Sequence, residues 1–280
     1  MKRPNVYDRL KVLAILAMIV DHVGYVFFPD ILRLRLVGRI AFPIFLFLVG
    51  FNNSYKRRWN LLWWALLVQI PIFVLFFWFG FGNGALNILW GILIARQVLH
   101  SLSSLKVLRS IRSPDFDFKA FRLFGLLTVV LLCVHPWLAR VLDYGSFVIL
   151  FPVMGWMMRD VNDVKDVNDV KDVNDVKDVK DVNDVKSLSF FTICYSAICF
   201  ACLWVFSQYV FGFSFVQLWI LGGFFVLLLC MFFVLWQGNY FLSIGKKIDT
   251  WLLFVSKNAL LIYVFHLLVF GSVKLFLLRK

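Results

Sequence analysis

The sequence predicts an all-α fold: a polytopic bundle of about nine transmembrane helices, ten at most, with the N terminus in the cytoplasm. Three observations carry that expectation. The apolar residues gather in blocks of bilayer length, the blocks lack the two-residue alternation of a membrane barrel, and the basic residues cluster at block ends. Of 280 residues, 62% are hydrophobic, with 33 Phe and 11 Trp. A soluble domain sits nearer half apolar. Blocks of roughly twenty apolar residues cross a bilayer as helices, because lipid offers the backbone no hydrogen-bond partners. A barrel would alternate lipid-facing and lumen-facing side chains.

The predicted spans run over 10–28, 38–54, 60–80, 85–99, 120–138, 145–158, 188–211, 215–236 and 252–276. Together they form a single membrane domain over 1–280. The first block continues past His22 without a small-residue cleavage site, so it is read as a span and not as a signal peptide. With the N terminus inside, the Lys and Arg residues divide 22 to 7 in favour of the cytoplasmic segments, which is the positive-inside bias. The formal charge of +13 therefore belongs to membrane orientation. No nucleic-acid partner is expected, because the basic residues form no continuous face. The lipid bilayer is the expected partner, and a multi-pass membrane location is expected.

All sixteen acidic residues are Asp, which excludes chemistry built on a Glu base. The five cysteines lie inside apolar blocks. Cys199 and Cys202 have C-x-x-C spacing, but at lipid depth they are read as small packing residues. No metal site is expected.

Residues 160–186 are nine consecutive Asp-Val-Asn or Asp-Val-Lys triplets carrying nine Asp and five Lys. They lack the apolar periodicity of a core and are read as a cytoplasmic loop insert, with a charged helical rod as the alternative.

Ionisable groups at membrane depth are costly, which makes them functional candidates. The first span holds Lys11, Asp21 and His22. At 3.6 residues per turn, Lys11 and His22 share one face, roughly 16 Å apart along the axis. Asp21 and His22 are adjacent and do not face each other. Arg33, Arg35 and Arg39 stand on the side that should be poor in basic residues, with Pro43 one turn beyond Arg39. A guanidinium there suits a phosphate or carboxylate, and lipid headgroups are the plainer partner. His266 lies within the last span with Tyr263 three residues before it. Asn87, Asp143 and Tyr144 complete the polar set.

Leu10-Lys11 through Met18, Asp21-His22-Val23-Gly24, Gly38-Arg39-Ile40-Ala41-Phe42-Pro43-Ile44-Phe45, Leu86-Asn87, Asp143-Tyr144-Gly145 and Tyr263 to His266 together resemble the TraX family. That family is related in architecture to membrane acyltransferase family 3, in which an Arg occupies the place of Lys11. The resemblance implies an acetyltransferase that moves an acetyl group from acetyl-CoA to a pilin N terminus or another cell-envelope acceptor. It implies His22, Asp21, Arg39 and His266 as catalytic residues. Lys11, Arg33, Arg35, Asn87, Asp143, Tyr144 and Tyr263 would bind substrate, and Arg96, Lys106, Arg109 and Arg112 would receive the nucleotide phosphates. O-acetylation of a surface glycan, a non-catalytic pilus assembly factor, a small transporter and a haem protein using His22 and His266 are the competing readings.

Overall fold

The computed structural model describes residues 4–52, 59–79, 86–104, 118–142, 144–168, 182–237 and 245–278. In chain order the helices are α1 (Val6–Phe27), α2 (Leu32–Gly38), α3 (Ala41–Phe51), α4 (Trp59–Phe79), α5 (Ile88–Ser104), α6 (Phe118–Leu138), α7 (Phe147–Asn168), α8 (Val182–Phe211), α9 (Phe215–Gln237), α10 (Lys246–Lys257) and α11 (Ala259–Leu278). Among the described residues, the only β pairing is an isolated bridge between Leu86 and Leu142. The protein is a helical membrane bundle.

Among the described residues, four helical segments are long and apolar enough to cross a membrane: Tyr7–Phe27, Leu32–Phe51, Cys194–Phe211 and Phe215–Phe232. The bent pair α10–α11 would make a fifth. Shorter apolar helices over Trp59–Val74, Ile88–Ser101, Gly125–Leu138 and Phe147–Met158 coincide with the third to sixth predicted spans.

Three predicted elements take a different form. The second span begins earlier, at Leu32, and is interrupted at Arg39–Ile40. There the backbone tightens to three-residue bonds, with the Ile40 N–H donating to the Val37 carbonyl at 3.2 Å. Pro43 has no N–H for the Arg39 carbonyl, so the regular ladder cannot run through this point. The last span is not one rod. α10 and α11 meet at 72° around Asn258. The triplet insert is not wholly a loop either. α7 continues through Asn168 and α8 begins at Val182, so both ends of the insert are helical, and 169–181 lie outside the described residues.

α1 begins with a reciprocal cap. Asp8 N–H donates to Asn5 Oδ1 at 2.8 Å and Asn5 N–H to Asp8 Oδ2 at 3.2 Å. Such a box satisfies two of the free donors at a helix start. The bundle is held by two apolar clusters. One centres on α3, α7, α8 and α9, with Phe47 stacked on Phe232 at 3.8 Å. The other joins α1, α4, α5, α10 and α11. Phe45, Ile88 and Ile92 pack against both. α3 and α7 approach until a Cβ on Gly50 would overlap the Pro152 carbonyl, and one on Gly155 the Phe47 carbonyl. Small residues permit such backbone contact between membrane helices.

Candidate functional site

Between the two clusters lies a cavity of about 590 Å³, reached by residues of α1, α2, α3, α4, α5, α8 and α11. Its size falls in the range of small-molecule sites. Asp21, His22, Arg35, Arg39, Tyr144 and Tyr263 all line it. The structure thus gathers residues separated by up to 242 positions in the chain.

Asp21 is buried at 6% exposure, at the centre of a charged cluster. Arg39 Nη2 donates to both its carboxylate oxygens, at 3.2 and 3.1 Å. Arg35 Nη1 lies 3.1 Å from Asp21 Oδ2 and donates to the Asp21 carbonyl at 3.3 Å. The sequence motifs explain the fit. A Cβ on Gly38 would overlap the Asp21 carboxylate, and one on Gly24 would come within 2.6 Å of Leu34. Both glycines let α1 and α2 close on each other, so one carboxylate reaches two guanidiniums. Aromatic rings complete the enclosure. The Arg39 guanidinium lies 4.4 Å from the Phe211 ring and 5.7 Å from Tyr144, and Arg35 lies 4.9 Å from Tyr25. Tyr144 stacks on Phe42 at 3.6 Å.

His22 and His266 meet directly. Their ring centroids are 4.9 Å apart, and His266 Nε2 is 3.3 Å from His22 Nδ1. The tautomers follow from their other partners. His22 Nδ1 is 2.9 Å from the Met18 carbonyl, and His266 Nδ1 is 2.9 Å from the Ile262 carbonyl. A carbonyl only accepts, so each Nδ1 carries a hydrogen and donates it. His266 Nε2 is then an unprotonated acceptor for the same His22 Nδ1–H. In a neutral His22, Nε2 keeps its lone pair. That nitrogen makes no hydrogen bond among the described residues, on a side chain that lines the cavity. Tyr263 packs edge-on against His266 at 5.7 Å.

Other expected residues stand elsewhere. Lys11 is not among the cavity residues and precedes His22 by about three turns, with its ammonium 5.8 Å from the Tyr7 ring. Arg33 is exposed and outside the cavity, because it points away from its neighbours Arg35 and Arg39 on the short α2. Asn87 borders the cavity, but its polar atoms are committed to structure. Its Oδ1 accepts from the Leu89 N–H at 2.9 Å, capping α5, and its Nδ2 donates to Ala65 and Gln69. That arrangement leaves it poorly placed to steady an oxyanion. Asp21 likewise serves the arginines, not the imidazole. Arg96 is not among the cavity residues. Asp143, Lys106, Arg109 and Arg112 lie outside the described residues.

The structure adds residues that the sequence reading passed over. Lys274 enters the cavity wall and donates to the Val26 carbonyl at 3.2 Å. Phe211 supplies the ring beneath both arginines, and nothing marks it among 33 phenylalanines. His135 accepts from the Ser146 N–H at 3.2 Å and so fixes the turn that presents Tyr144.

The family model described as TraX protein matches residues 6–170. The chain belongs to the TraX family. The matched stretch contains the Asp21–Arg35–Arg39 cluster and His22, whereas His266 and Lys274 follow it. The chain is also similar to an uncharacterized protein, RP591, of Rickettsia prowazekii (strain Madrid E), at 28% identity over 155 residues. That match covers 55% of this chain and 56% of the relative, so it spans little more than half of the relative's length. No solved structure matches.

Proposed function

We propose that this TraX-family protein is a membrane-bound acetyltransferase that takes its acetyl group from acetyl-CoA. The acceptor on this reading is a pilin N terminus or another cell-envelope amine or hydroxyl, and the enzyme resides in the bacterial inner membrane. The observation that carries the reading is the imidazole pair. His22 keeps an Nε2 lone pair for the cavity while its Nδ1–H is oriented by Met18 and His266. A general base must present an unprotonated nitrogen to the proton it removes.

The acceptor nucleophile, a neutral amine or a hydroxyl, attacks the thioester carbonyl. His22 Nε2 takes the proton that the nucleophile loses. The imidazolium so formed donates its Nδ1–H toward His266 Nε2, which spreads the new charge over two rings. Collapse of the tetrahedral adduct breaks the carbon–sulfur bond, and the departing thiolate takes the proton back. Arg35 and Arg39, pinned by Asp21, hold fixed positive charge at the cavity wall. Fixed charge aimed at a developing oxyanion is often the largest catalytic contribution. A cavity of about 590 Å³ suits the thioester end and a small acceptor group, and leaves the nucleotide portion outside.

The purified protein, given acetyl-CoA and an acceptor extract of the cell envelope, is expected to release free CoA thiol. His22→Ala should lower that release by roughly 100-fold or more, the scale of general-base removal. Equal release by the two folded proteins would remove His22 from the mechanism. No release by either would favour the assembly-factor or transporter reading.

A further inference from the structure

α10 stands apart from the other helices in its direction. It has twelve residues, Lys246 to Lys257, and meets α11 at 72°. α11 packs along α1 and α4, so it shares the direction of the spanning helices. A helix so sharply inclined to it runs close to the membrane plane.

The residues of α10 fall on three faces. Asp249, Leu252, Val255 and Ser256 are buried. They pack on the start of α1, where Ser256 Oγ donates to Asp8 Oδ1 at 2.6 Å and Arg9 Nη2 stands 4.0 Å from Asp249. Ile248, Trp251 and Phe254 are exposed and recur at three-residue spacing, which makes a second, apolar stripe beside the first. Lys246 and Lys257 are exposed as well. At about 100° per residue they lie almost above one another, roughly 130° around the helix from the apolar stripe. Lys247 falls on the apolar stripe at the N-terminal end of the helix, between the directions of Phe254 and Trp251, where a lysine stem can run along apolar surface with its ammonium at the headgroups.

We propose that α10 is an interfacial helix that binds anionic phospholipid headgroups in the leaflet at the N-terminal end of α1. Ile248, Trp251 and Phe254 insert among the acyl chains below the headgroups. Lys246, Lys247 and Lys257 hold the phosphates. Asp249, the helix's one acidic residue, is buried beside Arg9 and so does not offset them at the surface. Helices that combine an apolar face with lysines lie in the bilayer interface and select anionic lipid.

The test uses the full-length protein in detergent, offered equal amounts of phosphatidylglycerol and phosphatidylcholine with the same acyl chains. Bound lipid is counted by native mass spectrometry. The wild type is expected to retain phosphatidylglycerol preferentially. The triple variant Lys246→Gln, Lys247→Gln, Lys257→Gln should lose at least about fivefold of that preference, the effect expected of one surface lysine. The matching triple substitution to Arg should keep it, which separates charge from damage to the fold. No preference in the wild type, a preference unchanged by the Gln substitutions, or equal loss in the Gln and Arg variants would overturn the assignment. A protein partner on this face would give the unchanged preference.

Discussion

Asp21 decides the electrostatics of the cavity, because one buried carboxylate holds the buried Arg39 guanidinium and the half-buried Arg35 guanidinium. Removing one member of such a cluster strands the opposite charges. Asp21→Ala is therefore expected to destabilise the protein by roughly 3–5 kcal/mol, read as a lowered melting temperature in detergent. An unchanged melting temperature would mean that the arginines have other sufficient partners. Asp21, His22, Arg35, Arg39 and His266 were all legible as candidates, since charge at lipid depth is rare and conspicuous. Their pairing was not. The first helix alone places Asp21 and His22 about 100° apart, but only the closure of α2 on α1 shows that Asp21 serves the arginines. The sequence could not separate Arg33 from Arg35, because two residues along a seven-residue helix reverse the direction of the side chain. Asn87 looked like a site residue for the same reason as the others, a polar group in an apolar run. Its use as the α5 cap depends on Gln69, some eighteen positions away.

At the scale of elements, glycine sets how closely the helices can approach. Gly50 and Gly155 bring α3 and α7 into backbone contact. Gly155→Ala places a methyl group against the Phe47 carbonyl and should cost roughly 1–3 kcal/mol by overpacking. Gly223→Ala, on α9, meets nothing within 4 Å and should leave thermal stability unchanged or raise it slightly. Equal melting temperatures for the two variants would contradict the packing described for α3 and α7. Helix position was readable from apolar runs, while breaks inside those runs were harder to see. Pro43 signalled the interruption after Arg39. The turn at Asn258 carried no comparable mark, because Leu252 to Phe254 and Ala259 to Leu261 continue one apolar pattern across it.

Over the whole molecule, contacts sort the helix ends into two layers. Ser256 with Asp8, and Asn52 with Tyr7, mark the end that holds the N terminus. Lys274 with Val26, and the imidazole pair, mark the opposite half. The segments that meet at each end are those that the Lys and Arg count assigns to one side. The imidazole pair lies in the half of the bundle farther from the N terminus, so on the proposed function a cytoplasmic acetyl donor would have to reach it through the bundle. The triplet insert lies far from that chemistry in sequence and adds length between α7 and α8. Deleting the triplet Asp172 through Asn174 is expected to leave acetyl transfer within about twofold, since modest changes in connection length cost little. Loss of transfer in a stably inserted deletion protein would give the insert a functional role.

The most direct measurement is the mass of the N-terminal peptide of the candidate pilin from cells carrying the wild-type protein or His22→Ala at matched membrane levels. The wild type is expected to give a peptide heavier by one acetyl group, and His22→Ala the unmodified mass. An acetylated peptide in both would contradict the assignment of His22 as the base that transfers the proton.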